Sequence, residues 1–386
     1  MKYKKISELT TVITGGTPST SVAEYWDNGD IPWLQSGCCQ NCDVFSTEKF
    51  ITKKGYDNSS TRIMPKDTVM IALTGATAGK VGYLNFEACG NQSITGILPC
   101  EEINQRYLYY FLLSQRDKIL NDCIGGAQAH ISQGYVKNIL VPCLPLERQN
   151  EIVKRLSAVS SVTLLHQQQL QKLDELVKSR FIELFSGKKY NYVKVSDVCD
   201  FITKGTTPKS DEIFEEYEAG RIPYLKVYNL SLTGDLLFDD APQYINASTH
   251  EEKLARSKVY PNDVLMNIVG PPLGKFALVT NEFEEWNINQ AIAIFRAREK
   301  VIPRFLMAAL MQPDVLQPFL QQAVGIRQLN LSLEQCRNLE IPLPPIELQQ
   351  QFAAFVAQVD KSKLAVQQGL EKLETLKKSL MQQYFG

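Results

Sequence analysis

The chain has 386 residues, enough for two or three domains, and its 44% hydrophobic and 22% charged residues are the balance of a globular protein. Its formal net charge of −1 excludes a protein that holds nucleic acid by bulk electrostatics alone. No apolar run reaches membrane-spanning length, no apolar stretch succeeds the basic Met1-Lys2-Tyr3-Lys4-Lys5 start as in a signal peptide, and nine scattered cysteines fit a reducing cytoplasm better than a disulfide framework.

Taken in order, the chain opens with Lys5-Ile6-Ser7-Glu8-Leu9 and then Ile13-Thr14-Gly15-Gly16-Thr17-Pro18, a strand running into a turn. Ile31-Pro32-Trp33-Leu34 comes next, then Pro65-Lys66-Asp67-Thr68-Val69-Met70-Ile71, a turn feeding a buried strand. Gly79-Lys80, Asn91-Gln92, a helix from Tyr107 to Leu113 and the loop Gly126 to Ser132 continue the segment. Val141-Pro142-Cys143-Leu144-Pro145 ends it, its prolines stopping the strand and setting an extended approach to a long helical run.

Leu146 to Phe185 is that run, proline-free and with heptad spacing. Its seam is Ile152, Leu156, Val159, Thr163, His166, Leu170, Leu173, Val177, Arg180 and Leu184. A polar link, residues 186–192, leads to a second copy of the whole pattern. Lys194-Val195-Ser196-Asp197-Val198 and Ile202-Thr203-Lys204-Gly205-Thr206-Thr207-Pro208 match the opening, Ile222-Pro223-Tyr224-Leu225 matches the second strand, and Pro261-Asn262-Asp263-Val264-Leu265-Met266-Asn267 matches the third. Gly274-Lys275, Asn289-Gln290, a helix from Phe305 to Met311, the loop Gly325 to Ser332 and Ile341-Pro342-Leu343-Pro344-Pro345 complete it. The second long run, Ile346 to Phe385, lies 200 residues after the first, with the seam Phe352, Val356, Val359, Lys363, Val366, Leu370, Leu373, Lys377, Leu380 and Tyr384. Each run makes a helix of roughly 57 Å. A single stripe of this kind cannot bury itself, so the two are expected to pack on each other, with the polar seam positions fixing register.

The predicted fold is mixed α/β, with two pseudo-symmetric globular domains joined by two long helices packed as an antiparallel coiled coil. The expected boundaries are 1–145, 146–187, 188–345 and 346–386. Similarity between the globular copies is confined to framework positions, while the stretches between them differ in length and content, as in one scaffold carrying two recognition surfaces.

Enzymatic readings fail on chemistry. Gly75-Ala76-Thr77-Ala78-Gly79-Lys80-Val81 has three residues between its glycines where a phosphate cradle needs four, and Val81 stands where a magnesium-binding hydroxyl is required, so it reads as a framework turn. Cys39-Gln40-Asn41-Cys42 has metal-ligand spacing but no second pair nearby. His166 lies on the helical seam, Glu251-Glu252-Lys253 reads as a solvated stretch, and no nucleophile sits in an elbow motif. No catalytic residue, metal site or cofactor is expected in this chain.

The doubled order of motifs resembles the specificity subunits of type I restriction-modification systems. The resemblance rests on Gly15-Gly16-Thr17-Pro18, Ile31-Pro32-Trp33, Gly79-Lys80, Asn91-Gln92 and Val141 to Gln149, with most of their second-half counterparts. The family's Pro-Leu-Pro-Pro-Leu-x-Glu-Gln junction is matched by Pro342-Leu343-Pro344-Pro345-Ile346-Glu347-Leu348-Gln349. The second copy departs at Lys204, where the family carries glycine, and in a longer Gly205-Thr206-Thr207-Pro208 turn. The resemblance implies two target-recognition domains that read a bipartite, asymmetric site on double-stranded DNA. It implies partners: two methyltransferase subunits, which bring S-adenosylmethionine and flip out an adenine in each half-site, and a motor-nuclease subunit for restriction. Antiparallel helices would relate the half-sites by a pseudo-twofold and set the gap between them. A system fusing methylation and cleavage in the partner, or a helical scaffold that binds no DNA, are the alternatives.

Under that resemblance the base contacts are sought in the opening turns and the polar loops before the terminal strands, where amide and Arg/Lys side chains read adenine and guanine edges. These are Thr17, Gln35, Ser36, Gln128 and His130 in the first copy. In the second they are Thr206, Thr207, Lys209, Lys226, Tyr228, Asn229, Arg327, Gln328 and Asn330. The outer helix residues Gln167, Gln168, Lys172 and Lys178, with their repeats Gln367, Gln368, Lys372 and Lys378, are candidates for docking the methyltransferase subunits.

Overall fold

Both proline-free heptad runs form helices over their full length. In this computed structural model, which describes residues 2–123, 130–325 and 329–386, the first helix spans Leu146–Phe185 and the second Ile346–Phe385, 40 residues each. The heptad positions are the sheltered ones. Ile152, Leu156, Val159, Phe352, Val356 and Val359 are buried, and Leu170, Leu173, Val177, Leu370, Leu373 and Leu380 are partly buried. Leu164, Leu165, Leu176, Leu364 and Leu376, off that seam, are exposed. No helix among the described residues is long and apolar enough to cross a membrane.

The chain divides into two units, residues 1–167 with 367–386 and residues 168–366, so each long helix contributes to both. In the first unit the strands Val12–Thr14, Ile94–Ile97, Val69–Ala72, Val81–Leu84 and Cys42–Val44 lie side by side in that order. A second sheet has the order Phe50–Ile51, Ile31–Leu34, Ala88–Gly90, Ile63–Met64. The central strands Val69–Ala72 and Ile94–Ile97 are buried on both faces. The helix Gln105–Ser114 starts at Asn104, whose Oδ1 accepts the N–H groups of Arg106 and Tyr107. The Gly75-to-Lys80 stretch is a hairpin turn, with Gly75 and Gly79 at φ 72° and 73° and the Gly79 N–H donating to Ala72 O at 2.9 Å.

The second unit repeats this plan. One sheet runs Cys199–Lys204, Ile292–Ala297, Val264–Asn267, Phe276–Leu278, and the other Ile213–Phe214, Tyr244–Asn246, Arg221–Leu225, Trp286–Ile288, Lys258–Val259. The structure corrects the predicted alignment of the copies by one residue in the third strand. Asp67 and Asn262 are the left-handed turn residues, φ 69° and 73°, and their N–H groups donate to Leu84 O and Val279 O. Asp67 therefore matches Asn262, and Val69 matches Val264, which pair with Ile97 and Phe295.

The ends of the long helices complete both cores. In the first unit Phe385 packs on Tyr107 and Phe111 with ring centroids 5.3 and 5.8 Å apart, and Arg155 donates to the Tyr384 hydroxyl at 3.3 Å. In the second, Phe181 and Phe185 close on Phe352 at 5.5 and 5.7 Å and on Phe305 at 5.8 and 4.9 Å. A glutamine latches each helix start. Gln149 accepts the Asn104 N–H at 2.8 Å and donates to Leu144 O, and Gln349 accepts the Ile302 N–H at 2.9 Å and donates to Pro344 O. Polar seam residues find specific places: Lys363 pairs with Asp174, and His166 lies against Gly369, where a Cβ would stand 2.9 Å from the imidazole.

Two substitutions test this packing. Phe352→Ala removes a fully buried ring from the aromatic cluster and lowers unfolding free energy by about 3–5 kcal/mol in urea titration. Lys377 is held below its ordinary pKa by burial, opposed by Glu374, so its charge costs more in the folded chain than in the unfolded one. The cost of keeping it charged is fully present at neutral pH and fades as pH rises through the folded pKa toward 10.5. Lys377→Met therefore raises the melting temperature at pH 7, a gain that shrinks in melts at alkaline pH.

Candidate nucleic-acid interface

Parallel pairing brings two strand ends to one edge in the first unit. Ile31–Leu34 runs parallel to Ala88–Gly90 with Leu34 opposite Gly90, so Gln35 and the Asn91-Gln92 pair leave the sheet together. The Asn91 N–H donates to Leu34 O at 2.9 Å. The Gly15-to-Pro18 turn docks on that edge: the Gly16 N–H donates to Gly90 O at 2.8 Å, and the Trp33 indole donates to Gly16 O at 2.9 Å. A Cβ on Gly15 would fall 2.0 Å from Gly90 O, which only glycine avoids. Thr17 donates to the Gln92 side chain, and His130 bridges to Thr74, whose hydroxyl bonds Ser93 at 2.9 Å.

The second unit builds the same edge with other side chains. Leu225 lies opposite Ile288 in a parallel pair, and the Asn289 N–H donates to Leu225 O at 3.0 Å. Tyr224 takes the place of Trp33 and donates to Thr206 O at 3.2 Å, its hydroxyl pushed up to about 12 by burial and so kept protonated. A Cβ on Gly205 would sit 2.2 Å from both Ile288 O and Asn289 O. Gly205 is thus the counterpart of Gly15 and Thr206 that of Gly16. This corrects the expected departures: the two turns have equal length, and Lys204 occupies the strand position of Thr14, pairing with Ala293 as Thr14 pairs with Thr95. Beside the turn lies an open cavity of about 580 Å³ whose lining includes Lys204, Thr206, Arg256, Gln290 and Asn330.

The predicted contact residues fare differently. Thr17, Gln35, Thr207, Lys209, Tyr228, His130 and Asn330 are exposed, and Ser36, Thr206 and Lys226 are partly so. Gln128, Arg327 and Gln328 lie outside the described residues. Asn229 is withdrawn as a base reader: it is fully buried, its Oδ1 accepts the Lys226 N–H at 2.8 Å, and its amide donates to Leu237 O at 3.0 Å. Sequence reasoning missed Gln92, Gln290 and Arg256. The repeated Asn-Gln dipeptide carries a signal, but repetition alone reads as framework; Arg256 has no repeat partner to draw attention to it. Among the described residues, His250, Glu251 and Glu285 form the one group with metal-ligand atoms clustered, yet Lys258 Nζ stands 2.6 Å from Glu251 and 3.5 Å from Glu285. The cluster already holds its cation. His250 itself is buried, 3.0 Å from Glu285 and 3.1 Å from Asn287.

The reassignment of Asn229 is testable. Asn229→Ala leaves the Lys226 N–H and Leu237 O without partners, lowers stability by about 1–3 kcal/mol in thermal or urea unfolding, and leaves any recognised DNA sequence unchanged.

Comparison with known proteins matches this architecture twice over. The model of the type I restriction modification DNA specificity domain aligns with residues 1–175 and again with residues 187–377. The specificity subunit of the type I restriction enzyme EcoR124I/EcoR124II of Escherichia coli is 28% identical over 42% of this chain and 42% of its own length. The MjaIX specificity subunit of Methanocaldococcus jannaschii is 28% identical over 58% of this chain and 54% of its own. The matches thus span about half the length of these two relatives. The MjaVIII specificity subunit of the same organism is 21% identical over 98% of this chain and 90% of its own. Among solved structures, the type I restriction-modification S subunit from M. genitalium superposes with a TM-score of 0.54 at 16% identity, covering 98% of this chain and 94% of that one. A chain from a type I restriction-modification complex studied for its assembly gives 0.56 at 18%, covering 100% and 97%. Two copies of one edge, hung on two long helices and matched along nearly the whole chain, make this protein a member of the type I restriction modification DNA specificity domain family.

Proposed function

We propose that this chain is the non-catalytic DNA-recognition subunit of a cytoplasmic type I restriction-modification complex. It reads a bipartite, asymmetric site on double-stranded DNA and positions two adenine methyltransferase subunits, which supply S-adenosylmethionine, together with a motor-nuclease subunit. The observation that carries the reading is the edge built twice, with backbone contacts repeated and side chains changed: Gly16 and His130 in one copy, Thr206 and Asn330 in the other, beside a glutamine, Gln92 or Gln290, kept in both. A repeated backbone frame with different amide and basic groups is what two different half-sites require.

In this reading residues 1–145 and 188–345 are the target-recognition domains, and residues 146–187 and 346–386 pack as an antiparallel coiled coil that fixes the unread gap. Support comes from within each unit. Residues near the start of one helix meet residues near the end of the other, as in Arg155 with Tyr384 and Phe352 with Phe181. The methyltransferase subunits dock on the outer helix faces. Leu164 and Leu364, and Leu176 and Leu376, are exposed at equivalent places, so each unit carries one leucine of each pair beside the exposed Gln167, Gln168, Lys172 and Lys178 or their repeats.

The test is single-molecule methylation mapping of DNA from cells that express this chain with its partner methyltransferase. A methylated-adenine motif with two unlike half-sites and a fixed gap, found only when the chain is present, is the expected result. Exchanging residues 1–145 for those of a related chain changes one half-site and leaves the other. Methylation that ignores both the chain and the exchange, with the partner active, overturns the reading.

A further inference from the structure

We infer that Arg256 reads a guanine in the half-site bound by the second unit. The inference rests on the proposed DNA-recognition role of that edge and names one contact within it. Charge gives the first argument. The other described arginines of the second unit are neutralised or spent: Arg180 on Glu183, Arg221 on Glu218, Arg296 on Asp263, Arg298 on Asp200, Arg304 on Asp360, and Arg337 on the Ile202 carbonyl. Arg256 donates instead to a neutral hydroxyl, Thr206 Oγ1, from Nε at 3.2 Å and Nη2 at 3.0 Å. It lines the cavity with Lys204, Gln290 and Asn330, and among the described residues no carboxylate shares that lining. In a chain with 41 basic and 42 acidic residues, two cations in a carboxylate-free hollow mark a place for acceptor atoms.

Geometry supplies the second argument. A guanidinium offers its N–H groups in a planar fork. The edge formed by Nε and Nη2 is used on Thr206, which leaves the edge formed by Nη1 and Nη2. Two parallel N–H groups on one edge match O6 and N7 of guanine in the major groove. Thr206 acts as a positioning residue: it holds the side chain before any ligand arrives, so less freedom is lost on contact. Its own carbonyl is fixed by the Tyr224 hydroxyl. The first unit cannot make this clamp, because Gly16 stands in the place of Thr206, and a Cβ there would lie 2.3 Å from Ser60 Oγ. The clamp is thus one of the features by which the two edges differ.

The test compares the full complex carrying wild-type chain, Arg256→Ala, Arg256→Lys or Thr206→Val by single-molecule methylation mapping. The expected result is a guanine in one wild-type half-site whose requirement weakens by about 5- to 150-fold in Arg256→Ala, the discrimination of one bidentate contact. The other half-site stays unchanged. Arg256→Lys fails to restore it, since an ammonium lacks the fork, and Thr206→Val gives a smaller loss at the same position. A phosphate contact would behave otherwise: methylation would fall evenly over all sites with the motif intact, and lysine would rescue it. That outcome overturns the inference, as does a second half-site without guanine. Should Arg256→Ala abolish methylation, competition binding with duplexes substituted at the guanine decides, and equal weakening for every duplex overturns it. The two levels separate cleanly. A motif that tracks an exchange of residues 188–345 but keeps its guanine in Arg256→Ala overturns this inference alone, whereas a motif indifferent to that exchange removes the recognition reading itself.

Discussion

Neither long helix can bury its own apolar stripe, and neither sheet core closes without the helix ends. In the first unit the core around Tyr107 and Phe111 is completed by Ile152 and Leu156 from one helix and by Tyr384 and Phe385 from the other. In the second, Phe181, Phe185, Phe352 and Val356 do the same around Phe305. Each such ring buried is worth about 1.5–3 kcal/mol, so the helix ends are part of the folding units rather than attachments to them. The residues joined are far apart in sequence, since Tyr107 meets Phe385 in one core and Phe181 meets Phe352 in the other. The long-range closure entropy must be met before these contacts form.

Polar groups sort into two kinds on this frame. Gln149, Gln349, Asn229 and Asn287 are enclosed, and both ends of each amide are bonded within the protein. They latch turns and helix starts, where an unpaired group would cost about 1–3 kcal/mol. Thr17, Gln92, Gln290, Arg256 and Asn330 stand at the open edge, held by one or two contacts with further donors and acceptors to spare. The glutamine of the helix-opening motif belongs to the first kind. Its presence in both copies reflects a shared joint between helix and sheet, not a shared ligand.

The sequence is most informative where period and repetition carry the message. The heptad seam is legible because a 3.5-residue spacing selects one face, and the sheltered positions from Ile152 to Val159 and from Phe352 to Val359 fall on it. The opening turns are legible because Gly, Thr and Pro recur there. Register is harder. The repeated Pro and Asp of the third strand invite an alignment one residue out, and only the left-handed backbone of Asp67 and Asn262 settles it. Asn229 looks like a loop amide because the sequence cannot show that the chain returns at Leu237 to cover it. Arg256 is hidden for the opposite reason. It lies in a stretch whose length and content differ between the copies, and its meaning depends on Thr206, fifty residues earlier in the chain.

The distribution of charge links the fold to the proposed role. Most arginines of the second unit are cancelled locally by carboxylates, and the chain as a whole is near neutral. Such a surface gives little non-specific attraction to a phosphate backbone, because that attraction scales with the number of free cations. Arg256 stands at one edge without a carboxylate partner, next to groups suited to base edges. Under the proposed function this divides the work physically. The chain supplies discrimination through a few well-held contacts, and the bulk of phosphate neutralisation falls to the partners it positions. A protein that carried both in one chain would bind any sequence tightly enough to blur the difference between right and wrong sites.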